Sequence, residues 1–256
     1  MGNNVYKTLF CIVLKMKLPI EISPNPLVTS TIEVRYYSRI VSNKLFNLVY
    51  KAFMQELPNF EQNTLPQGIK ETNPQFKYAP DYILSNENYK LSFSNNVLSF
   101  ENVAEYKLWT NYFSFISKSI KTFFELGHID YVERIGVRYA SVLDKTQTAS
   151  EVINDVPVIN VEGYDQKFEH YRSNLKKDNI SILLQIFDNA KAVKNGINSS
   201  GVYIDIDASF TGKLDKNEAG FLDEVLKYVD KLHSVEKELF FSLMKPEYLS
   251  TLNPKY

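Results

Sequence analysis

The sequence predicts an α+β fold: mainly antiparallel sheet backed by three main helices, in a pattern that two related halves would also produce. Three observations carry the prediction. In the segment EYKLWTNYFSFISKSIKTFFELG, Trp109, Tyr112, Phe113, Ile116, Ile120, Phe123 and Phe124 recur at three- and four-residue steps, which is the period of a helix with one aromatic side. In HIDYVERIGVRYASVL, Ile135, Val137, Tyr139 and Leu143 share one parity while Arg134, Gly136 and Arg138 share the other, so one strand offers an apolar face and a cationic face. Near the end of the chain, a stripe running through Phe221, Val225, Val229, Leu232, Leu239 and Leu243 predicts a helix of roughly 40 Å, long enough to cross a sheet.

The remaining elements follow in order. Residues 1–24 read as a lead or an extra strand. Lys7 precedes an apolar run over 9–14, but the run is too short for a signal peptide, and Lys15 and Lys17 stand where small cleavage-site residues belong. Met1-Gly2 lacks the hydroxyl residue that myristoylation wants at position 6, which is Tyr6. Residues 1–15 are then either native chain or a processed or alternative start segment, with Met16 as the other start. The first α+β half spans 25–144. TIEVRYYSRI alternates Ile32, Val34 and Tyr36 against Glu33, Arg35 and Tyr37, a strand with one polar side. Ser42 is placed to cap a helix whose stripe is Leu45, Leu48, Val49, Ala52 and Phe53, ended by Pro58. Residues 59–81, with Pro66, Gly68, Pro74 and Pro80, read as a long loop containing one edge strand. A hairpin turning at Asn95-Asn96 precedes the aromatic helix, which Gly127 stops.

Residues 145–160 form a connector with a short strand or turn at 156–159. The second half, 161–256, has strands predicted over 168–175, 180–187 and 202–210, with turn material at 195–196 and 199–201. The last strand sets Val202, Ile204, Ile206, Ala208 and Phe210 against Asp205 and Asp207. Asn217 is the predicted cap of the closing helix and Pro246 its stop, leaving a tail too short for an element of its own. The alternatives of one domain and two packed halves both fit.

Composition narrows the function classes. Twenty-nine Lys and Arg against 30 Asp and Glu give a net charge of −1, so no global field draws in nucleic acid. The lone Cys11 and three scattered histidines build neither a disulfide framework nor a zinc cage, which suits a reducing compartment. No apolar run reaches membrane-spanning length, and the expected location is the cytoplasm. No cofactor is expected, because nucleophile-elbow, phosphate-loop, dinucleotide and zincin patterns are all missing from the sequence.

The polar parities of three strands supply the candidate binding residues: Glu33, Arg35, Arg134, Arg138, Asp205 and Asp207. If the strands are neighbours, guanidinium and carboxylate groups meet on one face, either as a partner site or as solvated cross-strand ion pairs. On the first view, reversing Arg134 and Arg138 to Glu removes association and leaves the fold intact. Gly136 between the two arginines marks a bulge or a close approach. Asp205 and Asp207 alone provide too few oxygens for a hard cation. Pro80-Asp81 with Glu105-Tyr106-Lys107 spells a metal-nuclease pattern, yet such a Glu-x-Lys belongs on a strand, and here it opens a helix. His128 and His233 read as helix-end and packed residues.

Asn25-Pro26-Leu27, Ile32-Glu33-Val34-Arg35-Tyr36, Tyr106-Lys107-Leu108-Trp109 and Arg134-Ile135-Gly136-Val137-Arg138-Tyr139 together resemble a sporadically distributed, uncharacterised prokaryotic protein family of this length. The resemblance covers most of the chain and is looser at Val28-Thr29. It carries no catalytic residues, and the family's patchy distribution implies mobile or defence-associated loci. The expected function is therefore a non-enzymatic binding or interaction protein, such as an accessory or sensor subunit of a bacterial defence or toxin-neutralising system. Its partner would be another protein encoded nearby, with a homo-oligomer left open. The alternatives are a metal-dependent nuclease and a small-molecule-binding protein whose pocket lies between the sheet and the last helix.

Overall fold

The computed structural model describes residues 17–63, 65, 68–106, 108–143, 148–156, 162–165, 167–194 and 197–256, with the side chains of 194, 197 and 198 left aside. Nine strands form one antiparallel sheet: β1 (Leu27–Ser38), β2 (Asn59–Gln62), β3 (Tyr82–Ser85), β4 (Tyr89–Phe93), β5 (Val97–Asn102), β6 (Ile129–Leu143), β7 (His170–Lys177), β8 (Ile180–Lys194) and β9 (Ile197–Asp215). Their spatial order is β2-β3-β4-β5-β1-β6-β9-β8-β7. The helices are α1 (Ser42–Phe53), α2 (Ile69–Thr72), α3 (Trp109–Glu125), α4 (Ala149–Val152), α5 (Phe221–Leu243) and α6 (Pro246–Thr251). None is long and apolar enough to cross a membrane.

This order contains a repeat of topology. Each repeat starts with a central strand, β1 or β6, leaves the centre, and returns as an antiparallel meander whose last strand, β5 or β9, pairs with that central strand, so β6, expected at the end of a first half over 25–144, opens the second repeat. A long helix, α3 or α5, then follows. β1 and β6 pair with each other, so the sheet runs unbroken from 27 into the second half.

The alternation seen in the sequence sets what is buried. Ile32, Val34 and Tyr36 of β1, Ile135 and Val137 of β6, and Ile204, Ile206 and Ala208 of β9 all face the helices and lie in one core with Leu45, Val49, Ile116, Ile120 and Phe123. Burial of each such Leu, Ile or Phe side chain is worth about 1.5–3 kcal/mol, so the layer of helices on sheet is held chiefly by this face. α3 and α5 run antiparallel across it: Trp109 at the start of α3 meets His233 and Asp230 in the middle of α5, while Phe124 at its end meets Phe221 at the start of α5. Gly127 closes α3 with φ +81, a conformation that L side chains rarely adopt.

Several local expectations change. Ser42 lies inside α1, with Val41 before it, and its Oγ accepts from the Asn95 backbone N–H at 2.9 Å, which ties the helix to the β4–β5 turn. α3 begins at Trp109, four residues beyond Glu105. The stretch ending at Asp81 holds β2 and α2, and the unexpected β3 joins the meander because Tyr82 to Ser85 find backbone partners in both β2 and β4. Ser199 and Ser200 are strand residues paired to Ala192 and Lys191 of β8; cross-strand hydrogen bonds outweigh their turn propensity. Asn217 bonds to Asp215 Oδ1, and Gly220 precedes α5, whose 23 residues span about 34 Å. Pro246 opens α6, since its missing N–H costs nothing at a first helical position. The expected element at 156–159 falls mostly outside the described residues.

Candidate functional site

The six charged residues chosen from the sequence do meet on the sheet face away from the helices. Register brings them together: Glu33 lies opposite Gly136, Arg35 opposite Arg134, and Arg138 opposite Asp207. Arg134 folds along its own strand over Gly136, where an added Cβ would collide with its guanidinium. From there Nη1 donates to Glu33 Oε1 at 2.6 Å, and Nη2 donates to both Asp207 oxygens at 3.0 and 3.1 Å. The close approach foreseen at Gly136 is thus made by the protein's own arginine. Arg138 donates twice to Asp205, at 2.9 and 2.6 Å, and that bond holds the guanidinium above its usual pKa. Arg35 donates to Glu33 at 2.7 Å and lies over the Tyr78 ring at 3.9 Å. Three cations and three anions pair within the face, so little charge is left to attract a ligand.

Asp205 is only 3% exposed, so Arg138 compensates a buried carboxylate. Reversal at 138 therefore places two like charges together and is expected to cost stability, where the sequence reading expected the fold to stay intact. The nuclease letters also stay apart. Asp81 is tied to Phe93 at one end of the β4–β5 hairpin, whereas Glu105 follows Asn102, the partner of Tyr89, at the other end. Asp81 instead pairs with Lys70. Lys107 lies outside the described residues.

A concave feature lies on the helix side. Because α5 continues past the start of α3, a gap opens between its last turns, β6 and the segment before α3. Residues 19–27 run across this gap as a strap. The chain's end pins it: Ser23 N donates to Leu252 O at 2.7 Å, Lys255 N to Glu21 O at 2.9 Å, and Asn253 Nδ2 to Ser23 O at 2.9 Å. The pocket, open to solvent on one side, has a volume of about 480 Å³, within the range of small-molecule sites.

Its walls are aromatic. His233 stacks on Trp109 with ring centroids 3.8 Å apart, and Trp109 is held in place by its Nε1 donating to Asp230 at 2.8 Å. Tyr139 packs against His233, and its hydroxyl shares a 3.1 Å hydrogen bond with that of Tyr106. Burial pushes both phenols above their ordinary pKa.

Two polar side chains in this lining stand out. His233 and Glu236 are 6% and 4% exposed; the Nδ1 of His233 is buried without a hydrogen-bond partner, and the Glu236 carboxyl makes no ion pair or hydrogen bond to another described residue. Burial lowers the His233 pKa to about 3, helped by nearby Lys237, and the ring is neutral at pH 7. Burial raises the Glu236 pKa to about 8 against the opposing pull of Lys237, so at pH 7 the carboxyl mostly keeps its proton. The pocket thus offers a neutral imidazole and a protonated acid. Leaving the buried His233 Nδ1 unpaired costs about 1–3 kcal/mol, which a ligand's hydrogen bond would recover.

Neither residue was a candidate from the sequence, although a signal was present. Val229, Leu232, His233, Glu236 and Phe240 share one helical face by three- and four-residue spacing, so the sequence did place an acid inside an apolar stripe.

Two measurements check this description. Arg138→Glu should lower unfolding free energy by about 2 kcal/mol or more in a urea titration, through an unpaired buried Asp205. Glu236 binds a proton in the folded state between its unfolded pKa near 4.5 and its folded value of about 8, so it weakens stability as pH rises through that window. His233 acts oppositely, weakening stability as pH falls from 6.5 towards 3. Between pH 6.5 and 8 only the Glu236 effect remains of these two, and Glu236→Gln should flatten a decline of up to about 2 kcal/mol there in denaturant titrations. Compared with known proteins, the chain matches no family model and no curated protein.

Proposed function

We propose that this chain is a small-molecule-binding protein and that its ligand occupies the pocket between the strap, β6 and α5. One observation carries the proposal: a cavity of about 480 Å³ lined by two buried polar side chains, His233, whose Nδ1 is buried without a hydrogen-bond partner, and Glu236, which no side chain among the described residues pairs. Aromatic walls with a few convergent polar groups are the usual make-up of such sites. A sensor or accessory subunit would use a pocket of this kind to register a metabolite. The polar sheet face gives weaker grounds for a partner site, because its arginines are already engaged by Glu33, Asp205 and Asp207.

Native mass spectrometry of gently purified protein tests the proposal, together with the emission of Trp109, the only tryptophan in the chain and part of the pocket wall. The expected result is an adduct that is lost on denaturation, and a change in Trp109 emission when the adduct is removed or replaced. A bare mass, with no saturable emission change across a panel of small molecules, would overturn it.

A further inference from the structure

The charge of the pocket lining narrows the ligand class, on the assumption that the pocket is a ligand site. Glu21 of the strap, Glu105 before α3 and Glu236 of α5 line it, and Lys237 is the one Lys or Arg among the described lining residues. His233 adds no charge at neutral pH, since its pKa is about 3. Among the described lining residues no arginine is present to grip a carboxylate or phosphate, and an anionic ligand would face more acids than bases there. The aromatic lining of Tyr106, Tyr139 and Phe240, with Trp109 already stacked on His233, suits both an apolar ring and a cationic head, because aromatic rings attract positive charge.

From the buried carboxyl of Glu236, which no described residue pairs, the aromatic walls around it and the excess of acids among the described lining residues, we infer that the pocket binds an organic monocation: an amine carried on a flat apolar body. The ammonium meets Glu236 and the ring system fills the space between Trp109, Phe240 and the strap. The Glu236 carboxyl, protonated in the empty pocket at pH 7, then ionises against the ammonium and gives its proton to the solvent. The other titratable groups around the carboxyl are Lys237 and His233 on α5, Tyr139 on β6, Tyr106 and Glu105 before α3, and Glu21 on the strap. The two phenols stay protonated through neutral pH.

Three probes of nearly equal shape test the inference through Trp109 emission and calorimetry: phenethylamine, 2-phenylethanol and 3-phenylpropionate. Phenethylamine should bind about tenfold or more tighter than 2-phenylethanol, the difference expected for one charge-assisted contact, and 3-phenylpropionate should bind weakest. Titrations at pH 7 in buffers of different ionisation enthalpy should show release of close to one proton per phenethylamine bound. Glu236→Gln should abolish that release and the amine's advantage over 2-phenylethanol, with an unchanged far-ultraviolet circular dichroism spectrum and cooperative thermal transition showing that the variant is folded. Equal binding of the amine and the alcohol, or no proton release, would overturn the cation assignment and leave the pocket standing as a site. Binding led by 3-phenylpropionate would overturn it in favour of an anion. Silence from all three probes would overturn both the assignment and the pocket as a ligand site.

Discussion

The pairing of β1 with β6 is the constraint on which the rest of this structure depends. It joins two meanders into one sheet and fixes a register in which Glu33 faces Gly136 and Val34 faces Ile135. A slip of one residue would exchange the two faces of either strand, sending Arg134 and Arg138 into the core and Ile135 and Val137 into water. The ion pairs on one side and the aromatic core on the other therefore enforce the same alignment. That alignment also sets α3 beside α5, because each helix lies over the central strands of its own half.

Much of the fold was legible because its signals are local. Alternation in Ile32 to Tyr36 and in Ile135 to Tyr139, and the three- and four-residue spacing of the aromatic helix, depend only on neighbours along the chain. What was missed depends on distant partners. β3 is a strand because β2 and β4 flank it, and Ser199 and Ser200 are extended because β8 runs opposite them. Helix starts moved for a related reason: Ser42 looked like a cap, but its hydroxyl serves the backbone of Asn95.

The same division explains the candidate site. The charged residues of the sheet could be found from parity, and the sheet does bring them together. Parity could not show that Arg134 would fold back over Gly136 and satisfy two carboxylates, which turns an apparent binding surface into a set of internal pairs. The pocket was harder to see, since its walls come from the strap, the approach to α3, β6 and α5, which are far apart in sequence. Its one local trace was an acid within an apolar helical stripe. A fold built for stability alone would place Leu or Met at that position, so the retained carboxyl is the feature that most calls for a functional explanation.

The central claim is that Glu236 sits in the pocket wall as a protonated, unpaired acid at neutral pH. Infrared difference spectroscopy between the native chain and Glu236→Gln at pH 7 tests this most directly. The account predicts a carbonyl band of a protonated carboxylic acid in the native protein, at the high frequency of a weakly hydrogen-bonded group, absent from the variant. A spectrum in which the substitution removes only carboxylate bands would contradict it.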